Sequence, residues 1–173
     1  LEAGHRVAAL DAPTEDKSSL LEIALREHVS ELDAATKTKK TVARVWLNPP
    51  RSAAEMIRWA VDNPDHFYDH RIMHAGALLA TYPFIGNVFT ILGRAFALGS
   101  STFAVDVRNR SVDLWGGSTA VVHGTSKAIT SLKRLDLITG GGRSPIVAGP
   151  PMEVESQAAA WLIHSALLTR DQE

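Results

Sequence analysis

Thr119, His123, Lys127, Thr130 and Arg134 recur at three- and four-residue steps. On a helix with a 3.6-residue period they share one face. Every member donates or accepts hydrogen bonds, two carry positive charge, and no carboxylate interrupts them. Such a face suits a polyanion, since Lys and Arg neutralise phosphates while hydroxyl and imidazole groups can reach base edges. The opposite stripe is Val122, Thr125, Ile129, Leu132 and Leu135, apolar enough to bury. Ser118 precedes both as an N-cap residue whose hydroxyl can take up a free first-turn amide. Gly124 is the awkward member, because glycine inside a helix costs about 1 kcal/mol relative to alanine. Either it admits a phosphate or a neighbouring helix, or the helix starts only at Thr125. The later start would leave Lys127, Thr130 and Arg134 as the contact set.

A second constellation is Asp62, His66, Asp69, His70 and His74. Histidines four apart share a helix face and can chelate zinc or a similar borderline metal. Pro64 sits at the boundary of this stretch, however, and no Glu follows the first histidine as it does in the metalloprotease motif. The alternative is that Asp69 caps a helix while His70 and His74 are surface or satisfied core groups. No metal or other cofactor is therefore expected. A hydrolytic nucleophile lacks its turn motif. Thr139 to Ser144 lacks the spacing of a phosphate loop and does not lead into a helix.

These groups need elements to hold them. Thr102 can cap a helix whose Phe103, Val107 and Leu114 face inward while Arg108 and Arg110 face out. Gly116-Gly117 then breaks the chain before the helix from Ser118, with Trp115 expected to plug the space beneath that turn. After it, Leu135 to Thr139 alternates as a half-buried strand, Gly140-Gly141-Gly142 cannot continue it, and Pro145-Ile146-Val147 can return beside it. Arg143 and Ser144 lie at the tip. Helix, turn, helix and two-stranded hairpin, in that order over Ser101 to Val147, resemble the winged helix-turn-helix superfamily. The resemblance implies binding of double-stranded DNA, with the second helix in the major groove and the wing on the phosphate backbone. It also admits members that use the same surface to dock proteins.

The rest of the chain reads as helical. Residues 1–17 carry no apolar period and are expected as a flexible arm. An amphipathic helix from Ser18 or Ser19 to Asp33 is marked by Leu20, Leu21, Ala24, His28 and Leu32. The basic run Lys37, Lys39 and Lys40 leads into a helix stopped by Asn48-Pro49-Pro50. These lysines are a second candidate set of phosphate contacts. A helix capped by Ser52 runs to Asn63-Pro64. The span from Ala75 to Gly93 holds nineteen uncharged positions, but Pro83 and its glycines suit two buried helices, about 70–81 and 84–98, better than a bilayer crossing. A final helix, Glu153 to Arg170, presents Ala158, Trp161, Leu162, Ile163 and Leu168. Burial is the expectation for all four tryptophans.

Charge and composition bound the partners. The net charge is −1, yet residues 1–35 carry −5, residues 36–58 carry +5 and residues 103–143 carry +3. A positive face can exist without a positive total. The absence of cysteine excludes disulfides and thiolate chemistry and fits the cytoplasm. A start at Leu1 instead of Met is what a fragment would show, with any leader absent from it.

The expected protein is mainly α: a flexible arm (1–17), an N-terminal helical bundle portion (18–82), a winged helix of three helices and a two-stranded wing (83–149), and a C-terminal helix (150–173). It is expected to be a non-enzymatic, bacterial-type DNA-binding regulator, homodimeric through the last helix and not membrane-bound. Ser118 and Thr119 through Arg134 form the groove-facing set, and Arg108, Arg110 and Arg143 hold phosphates. A protein-docking winged helix is the alternative, and a metal-dependent enzyme using His66, His70 and His74 stands behind it.

Overall fold

The computed structural model describes residues 1–26 and 32–170. Among them the chain is predominantly helical, with one two-stranded antiparallel sheet. It divides into two compact units. One comprises Leu1–Thr81 with Glu155–Leu168, the other Tyr82–Val154 with Thr169 and Arg170.

The first unit holds α1 (Glu2–Ala8), α2 (Thr14–Arg26), α3 (Leu32–Trp46), α4 (Ala54–Asp62), α5 (His70–Thr81) and most of α9 (Ser156–Arg170). Residues 1–17, expected as a loose arm, instead contain α1 and the opening of α2. The cause is a close approach at Gly4, where a Cβ would strike Val42 and Trp46 of α3; only glycine lets α1 lie flush there. His28 lies outside the described residues. The basic run falls inside α3 and not ahead of it. Both α3 and α4 end just before an Asn-Pro pair, as proline requires. The N-cap of α4 is Ala53 and not Ser52.

Every residue of α5 from Ile72 to Thr81 is buried, so this helix is the axis of the unit. Gly76 lets the indole of Trp161 lie against the α5 backbone. Ala158, Trp161 and Ser165 of α9 face the core, whereas Ile163 is 62% exposed. The uncharged span is cut at Tyr82-Pro83 into two helices. Among the described residues no single helix is long and apolar enough to cross a membrane.

The second unit holds α6 (Pro83–Ala97), α7 (Ala104–Trp115), α8 (Thr119–Arg134), β1 (Ile138–Gly141) and β2 (Ser144–Ala148). The three helices pack on one another around Ile85, Val88, Leu92, Val107, Ile129 and Leu132. Thr102 is not a helix cap. It is buried, and it bridges antiparallel to Ile146 of β2, whose N–H donates to the Thr102 carbonyl at 2.7 Å. The start of α7 is held by Asp106, whose carboxylate accepts from the Phe103 N–H at 2.8 Å.

The hairpin opens three residues later than its alternation predicts. Leu135 still closes α8, and Asp136 adopts a φ of 54°, a left-handed conformation that aspartate tolerates better than most residues. Ile138 then pairs with Ala148, Thr139 with Val147 and Gly141 with Ser144, with a bulge at Gly140.

Candidate nucleic-acid interface

The N-cap of α8 forms as its sequence predicts, with Ser118 Oγ accepting from the Val121 N–H at 3.4 Å. The helix runs unbroken through Gly124, so the later start at Thr125 does not occur and Thr119 and His123 belong to it. Gly124 faces Phe84 of α6: a Cβ there would come within 3.2 Å of the ring. The glycine thus serves a neighbouring helix.

The two stripes of α8 separate cleanly. Thr125, Ile129, Leu132 and Leu135 are buried, with Ala128 beside them and Val122 half-buried. The buried Thr125 hydroxyl is satisfied by the Val121 carbonyl at 2.9 Å. Thr119, His123, Lys127, Thr130 and Arg134 are all exposed, as is Ser118. Thr130 donates to the Ser126 carbonyl at 2.9 Å, which leaves its lone pairs for an outside donor. Among the described residues, neither Lys127 nor Arg134 forms an ion pair.

The hairpin carries its own cation. Gly142 and Arg143 form the two-residue turn between the paired Gly141 and Ser144, and Arg143 is exposed. Lys133 reaches the same place: its Nζ lies 4.0 Å from where a Cβ of Gly141 would be. In the sequence Lys133 is marked only by its place in the last turn of α8, beside Arg134.

The helix before the turn behaves differently from its expectation. Its buried positions are Val107 and Ser111, the latter donating to the Val107 carbonyl at 2.9 Å. Leu114 is 64% exposed and Trp115 45% exposed, and Trp115 stands edge-on to Phe84 at 6.0 Å and not beneath the Gly116-Gly117 turn. Arg110 is exposed, whereas Arg108 is half-buried with its Nε enclosed. Two residues along a helix change face, so the pair cannot act alike.

The lysines of α3 belong to the first unit. Lys39 Nζ is 2.8 Å from Glu22 Oε2, and Arg26 sits 2.7 Å from the other oxygen. These two cations hold the Glu22 carboxyl below its usual range. Lys39 is thereby committed, Lys37 also has a partner, and Lys40 is exposed.

The histidines do not assemble as their spacing suggests. His66 lies in a short 3-10 turn and stacks on Trp59, ring centroids 5.6 Å apart at 8°. His70 and His74 share α5, and both approach one oxygen of Glu2, at 3.6 and 3.0 Å. Asp69 accepts from the Arg71 N–H at 2.9 Å and so caps α5. Burial pushes His74 down to about 4, against the opposing pull of Glu2. Burial lowers His5 as well, although the Ala60 carbonyl and Glu2 work the other way. The rings of His5, Trp46 and His74 pack together, with His5–Trp46 at 5.1 Å and Trp46–His74 at 5.5 Å. His5 and Glu2 come from the segment read as an arm, so nothing local marked them. Among the described residues no group of three or more His, Cys, Asp or Glu side chains is arranged to hold a metal.

Compared with known proteins, the chain matches no family model, no curated protein and no solved structure, so what it does has to be argued from its own geometry.

Proposed function

We propose that the second unit is a winged helix-turn-helix and that the protein binds double-stranded DNA without catalysing a reaction on it. The element order supports the fold assignment: helix, bridge residue, helix, turn, helix and hairpin, with Thr102 adding a third short strand contact to the hairpin. One observation carries the function. The outward face of α8 is polar and cationic, free of carboxylates and of ion pairs among the described residues, and it ends beside a hairpin that bears Arg143 and that Lys133 of the last α8 turn reaches.

Thr119, His123, Lys127, Thr130 and Arg134 would enter the major groove, Arg143 and Arg110 would hold phosphates, and Lys133 joins them. Arg108 contributes less because its head is half enclosed. Lys39 drops from the contact set because it is paired with Glu22. The role is regulatory and the location cytoplasmic. A second copy pairs through α9, where Ile163 and Leu167 remain exposed.

Fluorescence anisotropy of a labelled duplex tests the reading. Exchange of Lys127 and Arg134 for alanine should cost about 1–3 kcal/mol each in duplex affinity while the fold stays intact. Duplex affinity equal to that of the double variant at every salt concentration would reject it. A protein-docking winged helix is the second reading, favoured by the exposed Leu114 and Trp115 next to Phe84. That reading predicts no duplex affinity and loss of partner binding on Trp115→Ala.

A further inference from the structure

The first unit contains a groove of about 480 Å³ between α4 and α9. Its walls are apolar: Met56 and Trp59 from α4, Ala160 and Trp161 from α9. This volume lies in the range of roughly 300–1,000 Å³ typical of small-molecule sites. We infer that the groove binds a small organic ammonium ion with an apolar body.

Two features select that chemistry. The first is the aromatic wall. Trp59 is 38% exposed and yet firmly held. His66 stacks parallel to it, Phe67 meets it edge-on at 5.9 Å, and Trp161 lies at 6.2 Å with a 30° tilt. An indole braced by three rings is a fixed, electron-rich part of the wall at little entropic cost, and indole is the ring that attracts a cation best. Trp161 itself is anchored, since its indole lies against Gly76, where no side chain could be accommodated.

The second feature is charge. Among the described residues Glu55 is the only carboxylate lining the groove, and no Lys or Arg lines it. Gln157 and His164 complete the rim. An anion would meet the carboxylate and the negative ring face together. A neutral apolar ligand would gain nothing from Glu55, which stays exposed at the rim. A quaternary ammonium satisfies both the carboxylate and the indole, while its hydrocarbon part covers Met56 and Ala160.

Calorimetric titration with benzyltrimethylammonium tests the site, with neopentylbenzene as its uncharged carbon isostere. Saturable binding at one ion per chain is expected, with the isostere at least about tenfold weaker. Glu55→Gln removes charge at an exposed position and should weaken the cation by roughly tenfold with no change in thermal midpoint. Trp59→Phe keeps a ring and should weaken it less than Trp59→Leu does. Absence of saturable binding overturns the proposal. So does equal affinity for the two probes, or a Glu55→Gln variant that binds the cation as well as the parent. Because the full chain is titrated with no DNA present and the groove lies in the first unit, either result is independent of the α8 assignment.

Discussion

His74 Nε2 on α5 lies 3.0 Å from Glu2 Oε2 on α1, a hydrogen bond between residues seventy-two positions apart in the chain. The imidazole is buried, and its second nitrogen has no partner among the described residues. Burial therefore holds it neutral, down to about 4, against about 6.5 in an unfolded chain. A depressed histidine leaves stability untouched above the unfolded value. As pH falls from about 6.5 toward 4 the unfolded chain takes up a proton that the fold refuses, and stability declines by up to about 3 kcal/mol. His5 is shifted in the same direction. Urea unfolding at neutral pH and in mild acid should show this decline, and His74→Gln should flatten it. A midpoint independent of pH across that window would contradict a neutral buried His74.

The contact between Gly124 and Phe84 gives a graded test. Alanine gains about 1 kcal/mol in helix propensity but places its methyl 3.2 Å from the ring. The two effects oppose, so Gly124→Ala should stay within about 1 kcal/mol of the parent. Gly124→Val cannot be accommodated by a small ring shift and should cost about 1–3 kcal/mol. Thermal denaturation of both variants decides the matter, and equal melting would show that Phe84 does not set the packing.

Two glycines of the hairpin share a left-handed backbone but not their surroundings. Gly140 has φ 76° and Gly142 φ 68°. A Cβ at Gly140 would strike the Pro145 carbonyl, whereas at Gly142 it would meet open space. Gly142→Ala should therefore cost only the left-handed penalty of about 1–2 kcal/mol. Gly140→Ala carries that penalty and a backbone collision, so it should be clearly worse. Hydrogen exchange of the Ile146 amide, which reports the bridge to Thr102, would register the difference. Comparable exchange in the two variants would exclude the bulge at Gly140 as a determinant of the hairpin.

If the hairpin touches phosphate, Lys133 and Arg143 should each contribute a counterion. Removing either should reduce the slope of log affinity against log salt by about 0.9 and weaken unrelated duplexes equally. Lys39, already paired with Glu22, should leave that slope unchanged when replaced by alanine. An identical salt slope in all three variants and the parent would remove the hairpin from the interface.

Much of the local architecture could be read without coordinates, because it rests on interactions within a few residues of each other. The opposed stripes of α8 follow from helical period alone. The stops at Pro49, Pro64 and Pro83 follow from a missing amide, and the hairpin from three glycines between alternating segments. The same period puts Lys127 and Arg134 on the side away from the buried stripe.

What tertiary structure decided is which neighbour arrives at each face, and periodicity carries no information about that. Nothing in residues 1–17 announces a helix. It forms because Gly4 can lie against Val42 and Trp46, and this packing delivers Glu2 to His70 and His74, while His66 stays off their helix in the turn after Pro64. Leu114 and Trp115 sit at apolar positions of α7, yet among the described residues both stay largely exposed, with Trp115 edge-on to Phe84. Lys39 reads as a solvated cation until Glu22, seventeen residues earlier in the chain, meets it. Helical period assigns a residue to a side; only the packed chain determines whether that side meets a carboxylate, a ring or water.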